Sequence, residues 1–450
     1  MRKLVPPAAS MLALALAWGA ACTPVRVPLI STGPLRDLVR IPQDATIFTE
    51  SGDRPILETG EDRLQKFEAY WYGPWERTGP AVCTEAMFGW AAESFTRKPV
   101  FGPNLLRLSA SQVEAVVANA RLDEFPSRSG YGIAIRNTSL RALPSSEPFY
   151  FDFREAGEGY PFDYNQNSAV WAGTPLLLTH VSEDGRFVGA ESPYTCGWID
   201  ARDVGTVDEE FMAAYRHPRL AALRRDRIPI SGDPGGFLFE GRVGMLLPMV
   251  DGAETGVVRL LAPVADESRR AAVSQVRLTE DDAAPIPFPF SQNRLAELIN
   301  QIMGQPYGWG GLGGHRDCSS TVLDIFLPFG LTLPRNSRNQ ASAGKVVDIS
   351  ELSTDEKRKR ILEAAVPFRT LLNIRGHVML YLGVFRGSPV AFHTIWGLRT
   401  AAKDESISGR FLIAKSVITG LSPGIEIRTL SRSRGDLLDR IDSFTLLGEE

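Results

Sequence analysis

Cysteine is scarce in this chain, with only Cys22, Cys83, Cys196 and Cys318 among 450 residues. So few cannot build a disulfide scaffold, and no two of them stand at the Cys-x-x-Cys spacing of a zinc or redox site. Five histidines are present without an HExxH motif, so neither a metal nor a cofactor is expected. His315, three residues before Cys318, is the one local candidate ligand, and it reads more simply as a loop residue. Charge is modest as well. A formal net charge of −4, with no basic stripe and no finger or RNA-binding motif, argues against nucleic acid as a partner. The apolar run MLALALAW at 11–18 falls well short of the ~20 residues that cross a bilayer.

That run has another use. Arg2 and Lys3 precede it, and Gly19, Ala20 and Ala21 follow, giving the basic start, short apolar stretch and small residues of an export signal over residues 1–21. Cys22, directly after the alanines, resembles the lipidated cysteine of bacterial lipoproteins, although Gly19 stands where leucine is usual. Lipidation at Cys22 would attach the exported chain to a membrane; ordinary cleavage near Ala21 is the alternative. Cys83 and Cys196 are then either a disulfide pair or two plain buried cysteines.

At 44% hydrophobic content the chain is ordinary globular material, long enough for two to four domains of about 100–200 residues. Residues 23 to 50 read as a tether. RLQKFEAYWYGPWE and SASQVEAVVANARLDEFPS follow with helical spacing, the second capped by Ser109 or Ser111. Tyr70, Trp71, Tyr72 and Trp75 are either core or a sugar platform, and core is the commoner use. Short strand-like runs come next, with Asp184-Gly185 as a hairpin turn, and VDEEFMAAYRH as a closing helix. A second set, from Ile228 to Leu278, again suggests a small barrel. After the proline-rich connector AAPIPFPF, SQNRLAELINQIMG predicts a helix capped by Ser291, and TDEKRKRILEAA a helix with a solvated face. GHVMLYLGVFRG, SPVAFHTIWG and RFLIAKSVITG predict an antiparallel sheet.

PYGWGGLGGHRDCSSTVLDIF, residues 306–326, concentrates the chemistry. A glycine-rich loop delivers Cys318 to the first turn of a helix, where the positive end of the helix dipole favours a thiolate, and the glycines would let a substrate backbone lie close to it. His377 and His393 fall in two successive strands joined by a short turn. One ring can act as base and the other as its orienting partner, so Cys318, His377 and His393 form the candidate hydrolytic triad. His180 and His217 lack such a setting and are read as structural.

PYGWGG at 306–311, DCSST at 317–321, LPRNSRNQ at 333–340, GHVMLYLG at 376–383 and FHTIW at 392–396 together resemble the NlpC-type cell-wall cysteine peptidases, with Ser320 where that family usually has glycine. LRALPSSEPFY, GYPFDYNQNS and the SEDGRF to GWID stretch resemble the N-terminal stabilising region and bacterial SH3-like barrels of one branch. The resemblance implies a multidomain α+β chain. Residues 22–130 would form the lipoprotein tether and helical stabilising region, 131–225 and 226–284 two small SH3-like β-barrels, and 285–450 a papain-like catalytic domain.

The resemblance also implies an activity: hydrolysis of the γ-D-glutamyl-diamino acid bond, as with meso-diaminopimelate, in peptidoglycan stem peptides. Cys318 would be nucleophile, His377 base and His393 its partner. Tyr307 would help polarise the scissile carbonyl, with the Cys318 backbone N–H as another donor. Asp317 and Ser319 would face the substrate, unless Asp317 caps the helix; Arg335 would meet a stem carboxylate, unless it pairs with a neighbouring acid. Export argues for wall-attached stems as substrate, and a monomer in the bacterial periplasm or envelope is expected. The alternatives are an N-acetylmuramoyl-L-alanine amidase, an acyltransferase, or a non-catalytic wall-binding lipoprotein.

Overall fold

The computed structural model describes residues 29–50, 55, 61–81, 84–216, 219–233, 235–250, 255–402, 407–431 and 434–448. The export signal, Cys22, Cys83 and His217 lie outside them. Cys196 is disulfide-bonded, and Cys83, weighed above as its partner, lies outside the described residues.

The chain opens with β1 (Leu29–Ser31) and α1 (Arg36–Arg40), then α2 (Glu61–Trp71), α3 (Gly73–Glu76), α4 (Glu85–Arg97) and α5 (Ala110–Ala118). Residues 29–50, expected as a tether, instead lie on the C-terminal domain: β1 pairs in parallel with the strand at Gly409–Phe411. Unpaired strand edges offer backbone donors and acceptors that a passing segment can satisfy. Ser109 is the cap of α5, in a reciprocal capping box with Gln112. Trp71, Tyr72 and Trp75 are buried, so the aromatic cluster is core.

Seven strands follow, β2 (Gly130–Ala134), β3 (Thr138–Arg141), β4 (Gln166–Val170), β5 (Pro175–Val181), β6 (Phe187–Glu191), β7 (Cys196–Asp200) and β8 (Val204–Val207), in one sheet of order β4-β3-β7-β6-β5-β2-β8. β5 and β6 form the hairpin around Asp184-Gly185. Helix α6 (Glu209–Tyr215), capped by Asp208, leads to a second small β-unit. Its strands are β9 (Leu220–Leu223), β10 (Ile228–Ser231), β11 (Phe237–Gly241), β12 (Leu246–Pro248), β13 (Val257–Ala265), β14 (Ala271–Thr279) and β15 (Ala283–Pro285), paired as β12-β9-β15, β10-β11 and β13-β14.

The last unit contains α7 (Gln292–Ile302), capped by Ser291, α8 (Cys318–Phe326), α9 (Ser337–Gln340), β16 (Gly344–Asp348), α10 (Thr354–Ala364), β17 (Thr370–Ile374), β18 (His377–Phe385), β19 (Ser388–Ala401), β20 (Ser408–Gly420) and β21 (Ile441–Leu447). The sheet runs β1-β20-β19-β18-β17-β21-β16. Every residue of α8 is buried. Val322, Leu323, Ile325 and Phe326 join the main core with Val378, Leu380 and Phe392 of the sheet, each side chain contributing about 1.5–3 kcal/mol by leaving water. Thr321 Oγ1 meets Thr394 Oγ1 at 2.7 Å, fixing the helix on the sheet.

Candidate active site

Cys318 is the first residue of α8, and Asp317 is its cap. The Asp317 carboxylate accepts from Ser320 N–H at 2.8 Å, while the Ser320 hydroxyl accepts from Asp317 N–H at 2.9 Å. Its remaining capacity is spent internally too, on Ser319 Oγ at 3.0 Å, Gly310 N–H at 3.0 Å and Arg335 Nη2 at 2.8 Å. Arg335 is buried, and donates also to Ser319 Oγ at 2.9 Å and, from Nε, to Ser168 Oγ of β4 at 2.8 Å. Both choices that the sequence left open thus fall on one buried ion pair: Asp317 is a cap, and Arg335 pairs with a neighbouring acid. Burial alone would raise the Asp317 carboxyl, but the Arg335 guanidinium and these donors hold it below its ordinary value.

Two of the glycines before Cys318 meet the first barrel. Gly310 and Gly311 adopt φ of +58° and +88°, and a Cβ on Gly311 would come 2.4 Å from Ala169 Cβ, one on Gly310 2.5 Å from Gln166 O. Their missing side chains make room for β4 of the first barrel, and Gln166 Nε2 donates to Gly310 O at 2.9 Å.

His377 opens β18, directly after the two-residue turn Arg375-Gly376, and His393 lies in the partner strand β19. His377 Nε2 is 2.9 Å from His393 Nδ1, and His393 Nε2 is 3.1 Å from Thr419 Oγ1 of β20. Thr419 gives its own hydroxyl proton to Gly420 O at 2.7 Å, so it accepts from His393 Nε2–H. His393 Nδ1 then accepts from His377 Nε2–H, which leaves the lone pair of His377 on Nδ1, the base nitrogen. Thr419 carries no signal of this in the sequence, where it is one more alternating residue of a strand.

The Cys318 sulfur receives backbone N–H groups from Val378, next to His377, and from Ser319. Burial and the Asp317 charge nevertheless push the thiol up to about 12. This corrects the expected helix-dipole activation, because desolvation of a thiolate in a closed site outweighs a half-charge at the helix end. Burial likewise lowers His377 to about 4 and His393 well below its ordinary value. Both shifts favour the uncharged forms of thiol and imidazole.

A cleft of about 330 Å³ opens at Cys318. Tyr307, Asp317, Cys318, Ser319 and Arg335 line one side, and Trp90 of α4 with Arg141, Tyr164 and Gln166 of the first barrel lines the other. His315 is outside it, bonded to Arg227 Nη2 at 2.8 Å. His180 is buried between Ser127 and the Ala120 carbonyl, a structural histidine. Across the back of the nucleophile loop, Arg316 joins Asp226 of the second barrel at 2.8 Å and Asp324 of α8 at 2.6 Å.

A buried cysteine at a helix start, bonded to the residue after an imidazole that a second imidazole orients, fits a papain-like cysteine peptidase. Known proteins agree. Residues 304–394 match the NlpC/P60 family, 9–125 the N-terminal NLPC_P60 stabilising domain, 148–200 an SH3 domain of SH3b1 type and 208–252 an SH3 domain of SH3b2 type. The chain carries an NlpC/P60 domain at residues 304–394, with the stabilising and SH3 domains before it. A solved NlpC/P60 endopeptidase from Photobacterium damselae subsp. piscicida superposes with a TM-score of 0.81 at 25% identity, over 94% of this chain and 99% of that one. The gamma-D-glutamyl-L-lysine dipeptidyl-peptidase of Bacillus subtilis (strain 168) is 32% identical over 196 residues, 42% of this chain and 61% of that relative's length.

Proposed function

We propose that this chain hydrolyses the γ-D-glutamyl-diamino acid bond of peptidoglycan stem peptides. The observation that carries the reaction type is the ordered chain from His377 through His393 to Thr419, with Val378, the residue after His377, bonded to the buried Cys318 sulfur. The bond is supported by likeness to the B. subtilis γ-D-glutamyl-L-lysine peptidase. Sγ attacks the scissile carbonyl as its proton passes to His377 Nδ1. The same proton then goes to the leaving amine, and water cleaves the thioester to free the carboxylate and the thiol. The Cys318 backbone N–H, unclaimed at the helix start, and the Tyr307 hydroxyl are the donors proposed for the oxyanion.

Cys318→Ala should keep its fold and lose turnover on a stem containing γ-D-glutamyl-diaminopimelate. Mass spectrometry of the products identifies the bond; release of stem peptides with a free N-terminal L-alanine would mark an amidase instead. Undiminished cleavage by the variant would end the proposal.

Export, lipid attachment through Cys22 and action on wall-attached stems form the accompanying proposal, tested by labelling with radioactive palmitate and by digestion of intact sacculi. One observation favours a second substrate reading. The first barrel walls one side of the cleft with Arg141, Tyr164 and Gln166, which suits short free stems. Digestion of free tripeptide beside sacculi separates the two.

A further inference from the structure

Thr419, which orients His393, sits near the end of β20, where no further strand lies on the outer side among the described residues. β1 covers β20 only from Gly409 to Phe411. Beyond that, the backbone of residues 304–307 bonds to Ala414 and Ser416, and at Ile418 and Gly420 two side chains from the N-terminal segment take the place of a neighbouring strand. Gln43 behaves as a peptide group: its Oε1 accepts from Ile418 N–H at 2.9 Å and its Nε2 donates to Ile418 O at 2.8 Å. Asp37 Oδ2 accepts from Gly420 N–H at 2.8 Å. The two grips fall on the residues immediately before and after Thr419.

The geometry also sets what a release would do. Thr419 bonds to His393 across β19 and to the carbonyl of Gly420, so a shift of the Gly420 peptide moves the acceptor that fixes the His393 tautomer. A change in that tautomer removes the Nε2–H that His377 needs to present, and with it the lone pair on His377 Nδ1. The charged groups around these side chains are Arg36 and Glu426 near Asp37, and Asp317 and Arg440 near His377.

We propose that Asp37 and Gln43 are positioning residues for the His377–His393 pair, acting through Thr419. The N-terminal segment is thereby part of the catalytic apparatus although it never reaches the cleft. This rests on the reading of Cys318, His377 and His393 as a hydrolytic site.

The test uses the full chain and two readouts: kcat and KM on a γ-D-glutamyl-diaminopimelate stem, and the pH dependence of Cys318 alkylation by iodoacetamide, followed on the Cys318 peptide by mass spectrometry. Asp37→Ala and Gln43→Ala should each lower kcat about five- to tenfold with KM within about twofold, and should move the alkylation profile in the same direction as Thr419→Val. Asp37→Asn keeps an acceptor for Gly420 N–H and should restore both readouts. Should an alanine variant fail to fold, Gln43→Glu, which keeps the acceptor and loses the donor, carries the test. Unchanged kcat and alkylation profiles, or a fall in melting temperature alone, would overturn the proposal. Alkylation needs no stem peptide, so a wild-type chain inactive on the stem would contradict the proposed substrate while leaving this test intact.

Discussion

Arg316 Nη2 lies 2.8 Å from Asp226 Oδ1, both side chains about 1% exposed, and the pair ties the nucleophile loop to the second barrel. Trp171 of the first barrel closes the same cluster, donating from Nε1 to Asp324 at 3.1 Å with the Arg316 guanidinium over its ring. Asp226→Ala would leave a buried guanidinium with half its counter-charge. The expected loss is about 3–5 kcal/mol, read from urea midpoints; a loss below ~1 kcal/mol would contradict the account.

The Arg335–Asp317 pair makes a contrasting prediction. Were Arg335 chiefly a binder of stem carboxylate, Arg335→Gln would raise KM and leave stability alone. Because the guanidinium satisfies a buried cap carboxylate, the variant should instead lose ~2–4 kcal/mol of stability. Thermal unfolding beside KM measurements decides between them.

Gly311→Ala should be costly for two reasons: φ is +88°, and the new methyl meets Ala169. A destabilisation of ~2–4 kcal/mol is expected. Ala169→Gly in the same chain should recover part of it, since it removes the methyl–methyl contact and leaves both the approach to the Ala169 backbone at 2.5 Å and the strain. Absence of any recovery would show that the first barrel does not rest on this loop.

His393→Ala should lower kcat by about 10²–10⁴-fold, since His377 loses the acceptor that sets its tautomer. Steady-state kinetics with KM held in view are sufficient. His393→Asn, which offers an acceptor oxygen, should retain more activity than the alanine variant.

pH gives two independent checks. His377 is held at about 4, against 6.5 ordinarily, so the acid limb of kcat/KM should fall near pH 4, and a limb near 6.5 would refute it. In the unfolded chain the same imidazole takes a proton from about pH 6.5 downward, so the unfolded state binds more protons between about 6.5 and 4, and stability should fall across that window as pH drops. Cys318 works in the other direction: raised to about 12 from 9.0, it keeps its proton in the folded state longer, so stability should fall as pH rises through that interval.

Legibility followed distance along the chain. The Ser291 and Ser109 caps, the Asp184-Gly185 hairpin and the α8 start rest on neighbours within a few residues, and all are present in the structure. The His377 and His393 pairing was legible for the same reason, as two strands joined by a short turn bring their side chains together. Residues 29–50 were misread because an unpatterned segment shows no sign of the distant edge it will cover.

By itself the sequence determined the reactive groups: a cysteine at a helix start, two histidines on adjoining strands and a run of glycines before them. Only the tertiary structure decided their state and their company. Burial, which no local pattern reports, reverses the expected ionisation of Cys318. The partners of the site come from far along the chain, Thr419 for His393, Ser168 for Arg335 and Asp226 for Arg316. A hydrogen bond or ion pair forms wherever folding brings donor and acceptor within about 3 Å, and that proximity is set by how sheet, barrels and N-terminal segment pack together.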